Sequence, residues 1–332
     1  MRKLHRSRLA RSLSLLSLAG VLGATAACGG SSGAGAEPTK KLRIAATGAD
    51  SLPFMAILQV AIDKGWFKQQ GLDVSIYSGG GGGNTLRVVG TGDADMAIAG
   101  NTSVVLAGQR AGSQIKVVAP WFQVNDFYWI GTKAGVAKQT AKLGFSSAGS
   151  TTELIVKALK KKMPGISTVG VGAEGDNWAA AKSGRIDAGW AMHPFVTEKQ
   201  DSDGAKTVIT ARDEIGDFPA DLVAVNSDYA EGNKANVTKF FTVVDKMFAY
   251  VRDDTDKSAA DIAPLLKVSP KIMKKALKDT PELDKAYSLK VDPAVLANLS
   301  KLMVSTGQIK KPVDWGTVLD QSYLPAGDRA KL

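Results

Sequence analysis

The chain has 332 residues, a single cysteine (Cys28) and a formal net charge of +10 at pH 7. One cysteine excludes a disulfide framework, and with only His193 beyond the N-terminal segment a histidine-rich or cysteine-rich metal centre is excluded too. Lysine runs such as Lys160-Lys161-Lys162 and Lys274-Lys275 lack interleaved aromatic residues, so they read as solvated helix surface and no nucleic-acid partner is expected.

Arg2, Lys3, Arg6, Arg8 and Arg11 precede an apolar run from Leu13 to Leu22, and small residues then lead to Cys28, which is the layout of a secretory signal. The run is too short to span a bilayer. Cys28 stands where a bacterial lipoprotein signal places the thiol that receives lipid, although Thr25 occupies a position where leucine is usual. The expectation is a lipoprotein signal peptide over 1–27, the alternative being an ordinary signal cut at Ala-Thr-Ala. Residues 28–40, rich in Gly and Ser, are expected to be a flexible tether.

From there strands and helices alternate, which predicts parallel sheets. In chain order these are strand Leu42 to Ala46, an apolar helix near Phe54 to Asp63, strand Val74 to Tyr77, a helix from Thr85 to Val89, strand Met96 to Ala99 and strand Lys116 to Phe122. Phe127 to Thr132 reads as a crossing segment, after which the pattern repeats with strands at Lys142, Thr168, Ala188 and Lys206, and a return crossing at Leu222 to Val225. Two stretches match: Gly92-Asp93-Ala94-Asp95 and Gly184-Arg185-Ile186-Asp187 each run from a helix-ending glycine through two residues to an aspartate and a buried strand. Two similar lobes sharing a cleft follow, lobe I over 41–125 and 227–332 and lobe II over 126–226. Beyond Tyr229 the chain reads as helical, with Val237, Phe240, Phe241, Val244, Phe248 and Val251 forming one buried face. Ser269-Pro270 and Asp292-Pro293 are helix starts, and Gly307 is a helix stop.

The stretch Ala61-Ile62-Asp63-Lys64-Gly65-Trp66-Phe67-Lys68-Gln69-Gln70-Gly71-Leu72-Asp73-Val74 resembles the A-x-x-K-G-[FY]-F-x-x-x-G-L-x-V segment of ABC-importer solute-binding proteins of the aliphatic-sulfonate, taurine, nitrate and thiamine-pyrimidine group. Similarity continues through Gly92 to Ala99, Gly149 to Glu153, Lys182 to Ala188 and Gly307 to Leu324. The resemblance implies an α/β two-lobed type II periplasmic-binding-protein fold. Each lobe would be a mixed, mainly parallel sheet flanked by helices, with two crossing segments as hinge. The related eukaryotic pyrimidine synthases carry a cysteine-rich motif that this sequence lacks, so no enzyme is expected.

In such sheets ligand sits beyond the carboxyl ends of the strands. Gly100-Asn101-Thr102-Ser103 reads as a helix start with Asn101 as N-cap and Thr102 beside it, its free N–H groups attracting negative charge with no carboxylate nearby in sequence. Ser146 to Glu153 is the matching element, where Ser150 and Glu153 form a capping box and Ser147, Thr151 and Thr152 are left for a ligand. The run Gly79 to Gly83 lacks the Lys-Ser/Thr ending of a phosphate loop and reads either as a flexible loop or as a place of close backbone approach; Asn84 follows it. The candidate loops contain no Lys or Arg but are rich in aromatics, with Tyr77, Trp121, Phe122, Phe127, Trp178, Trp190 and Phe195 as candidate apolar walls. Asp50, with Ser51 beside it, Asp126 and Glu174 are candidate acceptors for ring amino groups, or else solvated loop acids. His193 is either a pocket donor or structural.

The expected function is the extracytoplasmic, lipid-anchored solute-binding component of an ABC importer. It would be a monomer without cofactor or metal, capturing a sulfonate, taurine or nitrate-type ligand for a permease and ATPase. A heteroaromatic such as a pyrimidine is the alternative, and a sensor or an enzyme on the same fold is a more distant one.

Overall fold

The computed structural model describes residues 40–79 and 81–332. The signal segment, Cys28 and the tether up to residue 39 lie outside the described residues. The first strand, β1 (Lys40–Ala46), begins at the last residue expected in the tether.

Ten strands form two five-stranded sheets. After β1 come α1 (Pro53–Asp63), α2 (Trp66–Gln69), β2 (Leu72–Ser78), α3 (Gly82–Gly90), β3 (Met96–Gly100), α4 (Asn101–Gly108) and β4 (Ile115–Trp121). The chain then crosses to β5 (Tyr128–Gly131), β6 (Lys142–Phe145), α5 (Thr151–Lys162), β7 (Ser167–Gly170), α6 (Glu174–Lys182), β8 (Ala188–Ala191), α7 (Phe195–Asp203), β9 (Lys206–Thr210) and α8 (Ala211–Ile215). It returns along β10 (Asp221–Asn226). The sheets run β2-β1-β3-β10-β4 and β7-β6-β8-β5-β9, the same order in both lobes.

In each sheet the first three strands are parallel, and the fourth, β10 or β5, is antiparallel to both its neighbours. These antiparallel strands are the ones that carry the chain between lobes. Each begins at the sheet edge where its parallel neighbours end: Asp221 lies opposite Gly100, and Tyr128 opposite Ala191.

The two Gly-x-x-Asp stretches do identical work. Gly92 and Gly184 take φ of 77° and 74°, the left-handed turn that stops α3 and α6 and that glycine adopts at least cost. The aspartate then accepts a backbone N–H of the neighbouring strand, Asp95 from Arg43 at 2.7 Å and Asp187 from Lys142 at 2.8 Å. Asp95 also pairs with the Arg43 guanidinium.

The C-terminal part is helical as the periodicity predicts: α9 (Ser227–Gly232), α10 (Lys234–Asp253), α11 (Thr255–Ile262), α12 (Pro270–Asp279), α13 (Leu283–Ala286), α14 (Pro293–Ser305) and α15 (Trp315–Val318). Ser269 and Asp292 cap α12 and α14 through their side chains, and Gly307 lies past the end of α14 at φ 74°. The apolar face of α10 is buried, with Phe240 stacked on Phe67 and Phe248 against Trp121. Besides covering the first sheet, the C-terminal helices reach the second lobe, α12 packing on α7 and α14 on α5. No described helix is long and apolar enough to cross a membrane.

Candidate functional site

The strand ends of the two sheets enclose a cleft of about 940 Å³. One wall comes from Thr47 to Leu52 after β1, from Gly81 to Gly83 opening α3, and from Gly100 and Ser103 around the start of α4; the other comes from Ser146 to Thr152 before and into α5, Gly172, Ala173, Trp190 and Met192. Backbone amides, small hydroxyls and one indole dominate these walls.

The starts of α4 and α5 meet across the cleft. Ser103 Oγ donates to the Gly149 carbonyl at 3.2 Å, and Thr151 Oγ1 donates to Asn101 Oδ1 at 3.2 Å. Asn101 is not the cap expected of it: Gly100 holds that position, and Asn101, fully buried in the first turn, donates to the Pro219 carbonyl at 2.6 Å. Thr102 is likewise buried, its hydroxyl donating to Asn101 Oδ1. Asn101 joins the two helix starts, Thr102 bonds to it, and neither lines the cleft.

At α5, Ser150 Oγ accepts from Glu153 N at 3.1 Å as a cap should, but the Glu153 carboxylate reaches Gly149 N at 2.7 Å instead of the cap's own N–H. Ser147, Ser150 and Thr151 all line the cleft, as do Asp50 and Ser51. Ser147 is exposed.

Within the glycine run 79–83, Gly79 and Gly82 are closely packed. The run's last two residues open α3, three residues before the expected start, and a Cβ at Gly79 would stand 1.9 Å from Thr85 Oγ1. A Cβ at Gly82 would stand 2.7 Å from Ser103 Oγ, so here glycine permits close approach of α3 to its neighbours. Thr85 completes the join by bonding Thr47 Oγ1 at 2.9 Å. Asn84 is exposed outside the cleft lining.

Of the aromatic candidates Trp190 and Phe127 line the cleft, packed beside one another, with Trp190 Nε1 donating to the Gly172 carbonyl at 3.0 Å. Trp121 is fully buried, donates to the Phe54 carbonyl at 3.1 Å and packs in the lobe I core. Trp178 belongs to a separate apolar cluster of lobe II and donates to Asp203. Tyr77 is exposed at the sheet edge, its hydroxyl on the Asp93 carbonyl. Trp121, Trp178 and Tyr77 thus stand outside the cleft wall where they were expected, because the side a residue faces is set by strand or helix register and not by residue type.

Glu174, Asp126 and His193 are buried behind the cleft wall. Glu174 accepts from Met192 N at 2.6 Å, and burial pushes its carboxyl up to about 8. Asp126 is also pushed by burial to about 8, and its Oδ1 has no hydrogen-bond partner among the described residues. His193 shares a hydrogen bond with Thr197 Oγ1 at 2.7 Å, and burial lowers its imidazole to about 4. All three serve lobe II internally in this conformation.

Two features escaped the sequence. Arg87 and Arg110 line a groove between α3 and α4 that opens into the cleft, although no cation stands in the strand-end loops themselves. Asp221 lines the cleft beside Gly100, so a carboxylate does stand next to the start of α4, brought there by strand pairing and not by sequence proximity. Burial raises its carboxyl to about 7. Among the described residues no cluster of three or more His, Cys, Asp or Glu side chains is placed to hold a metal ion.

With the cleft defined, relatives become informative. Residues 53–258 match the family described as NMT1/THI5 like. The chain belongs to that family. This bears out the resemblance on which the two-lobed architecture was expected. No curated protein sequence matches the chain. Solved structures share the family member's fold at low identity. The ligand-binding component of an ABC-type import system from Staphylococcus aureus, with zinc bound, superposes with TM-score 0.71 at 16% identity, over 88% of this chain and 100% of that one. The periplasmic aliphatic sulphonate binding protein SsuA from Escherichia coli gives TM-score 0.65 at 16% identity, over 88% and 96%. The alkanesulfonate-binding protein SsuA from Xanthomonas axonopodis pv. citri, bound to MOPS, gives 0.64 at 15%, over 87% and 99%. The fold is therefore that of the periplasmic binding proteins.

Proposed function

We propose that this chain is the extracytoplasmic solute-binding component of an ABC importer. It would close two lobes on a small organic ligand and deliver it to a membrane permease and its ATPase, with Cys28 as the lipid anchor of a monomer. The observation that carries this reading is the cleft itself: two similar sheets present their strand ends to one another, joined by two crossing segments, and both lobes contribute polar groups and an apolar wall to one volume. The fold shared with import-system binding proteins supports it.

The ligand class proposed is the organosulfonate type, taurine included. Ser147, Ser150, Thr151 and Ser51 offer hydroxyls, the starts of α4 and α5 add backbone N–H groups, and Trp190 with Met192 would pack an apolar portion. Bare nitrate ranks lower because Arg87 and Arg110 stand along the groove, toward the far ends of α3 and α4, about 10 Å from the helix starts by helix rise. The reading is one of binding, not turnover, because the sole imidazole among the described residues is engaged with Thr197.

Melting of the protein from Gly29 onward against alkanesulfonates, taurine, nitrate and aminopyrimidines tests the reading. A ligand at about 100 times its dissociation constant adds roughly 2.7 kcal/mol, which a melting curve shows plainly. A shift that vanishes on Thr151→Val supports the cleft assignment; a shift indifferent to every cleft substitution counts against it.

A further inference from the structure

Helices α3 and α4 follow β2 and β3, both parallel to β1, so both start at the cleft edge and run back from it side by side. They meet at the start, where a Cβ at Gly82 would stand 2.7 Å from Ser103 Oγ. Beyond that contact the cleft continues as a groove between them, lined by Leu86, Leu106 and Ala107. Room remains along it, since a Cβ at Gly90 would meet nothing within 4 Å.

Two arginines stand toward the outer end. Arg87 and Arg110 both line the groove, about 10 Å from the helix starts by helix rise. Both are exposed, and among the described residues neither guanidinium has an ion pair or a hydrogen bond. Those of Arg43, Arg212, Arg252 and Arg329 are all engaged. A guanidinium is a planar fork of donors that takes an oxyanion bidentately, and two of them on one groove offer more than either alone.

The size of the cavity points the same way. About 940 Å³ remains even though the starts of α4 and α5 are hydrogen-bonded across the cleft, so the space is not that of parted lobes. Pockets for drug-sized ligands run to about 1,000 Å³, and a two-carbon sulfonate would leave most of this one to water.

We propose that the groove between α3 and α4 is a subsite for a second, anionic end of the cargo, held by Arg87 and Arg110, and that the cargo is an elongated organic molecule. This rests on the solute-binding reading above and narrows it. The head group stays among the hydroxyls at the start of α5, an apolar spacer lies on Leu86, Leu106 and Ala107, and a terminal carboxylate, sulfonate or phosphate reaches the arginine pair. A short ligand such as taurine occupies the cleft alone and leaves the pair to water.

Calorimetric titration tests this with octanesulfonate, its ω-carboxylate and ω-sulfonate derivatives, and a short pair, ethanesulfonate and ethanedisulfonate. At least one ω-anion is expected to bind fivefold or more tightly than octanesulfonate, and the better of the two identifies the terminal group. In the short pair the second sulfonate is expected to add less than twofold, because it cannot span the groove. The double variant Arg87→Gln, Arg110→Gln is expected to erase the ω-anion advantage, leave octanesulfonate unchanged and melt at the parent temperature. Arg185→Gln, which removes an exposed arginine of lobe II outside the cleft lining, is expected to keep the advantage. The subsite is overturned by any of four results: no ω-anion advantage, an equal advantage in the short pair, an advantage that survives the double variant, or one lost equally with Arg185→Gln. Equal weakening of octanesulfonate by the double variant also overturns it. In each case binding of octanesulfonate or ethanesulfonate keeps the solute-binding reading. Silence of all five compounds overturns both.

Discussion

Trp121 and Trp190 look alike in sequence, each closing a strand at the cleft edge, yet they do different things. Trp121 fills the lobe I core against Phe248 with its N–H satisfied internally, whereas Trp190 presents a face to the cleft. Replacing Trp121 with Ala is expected to cost about 3–5 kcal/mol in urea unfolding, as core aromatic truncations do. Trp190→Ala is expected to leave most of the stability intact and to weaken ligand binding at least tenfold, measured by calorimetry. Equal stability losses at the two positions would contradict this assignment. Sequence supplies the residue type at both sites, but facing is decided by pleat register, and a slip of one residue reverses it. Asp221 was invisible for a related reason. The rule that ligands lie beyond the carboxyl ends of strands passes over the amino end of an antiparallel strand, which lies at the same edge. Pro219-Ala220-Asp221, immediately ahead of the apolar run Leu222 to Val225, was the available signal.

At the scale of elements, α3 shows how a glycine run becomes architecture. Gly79, just ahead of α3, lies against Thr85 of that helix, and Gly82, its first residue, lies against Ser103 of α4, so side chains at either position have no room. Gly79→Ala is expected to destabilise by about 1–3 kcal/mol, the usual penalty for forcing extra volume into a packed site, read from the denaturation midpoint. An unchanged midpoint would show that the run is merely flexible. Helix existence and type were legible almost everywhere, because amphipathic spacing, Ser-Pro and Asp-Pro starts and glycine stops are local signals. The starts of α3 and α4 were misplaced because tertiary contacts set them: Asn101 is committed to Pro219 and Thr151, far away in sequence, so it does not cap.

For the whole molecule, buried acids couple stability to pH. Burial disfavours the charge of Asp126 and Glu174 and pushes both carboxyls up to about 8 in the folded chain, against ordinary values of 3.8 and 4.5. Between those limits the folded chain holds protons that the unfolded chain has released. Their contribution to stability is therefore greatest below about pH 4 and is lost as pH rises toward about 8. The double variant Asp126→Asn, Glu174→Gln is expected to flatten the decline of melting temperature between pH 5 and 8; a parallel decline in both proteins would place the dependence elsewhere. The two-lobe plan itself was legible from the paired Gly-x-x-Asp stretches, since the same local device serves both sheets. What no local signal could show is that the first sheet borrows β10, a strand made only after the whole of the second sheet.

That borrowing imposes an order of assembly. The second sheet has all its strands once residue 210 has been made, but the first lacks β10 until residue 226. A chain emerging from its N-terminus can finish the later lobe while the earlier one still waits with a gap between β3 and β4. The half that is synthesised first is the half completed last, and anything that shields nascent chains must cover those unpaired strand edges until the return crossing arrives.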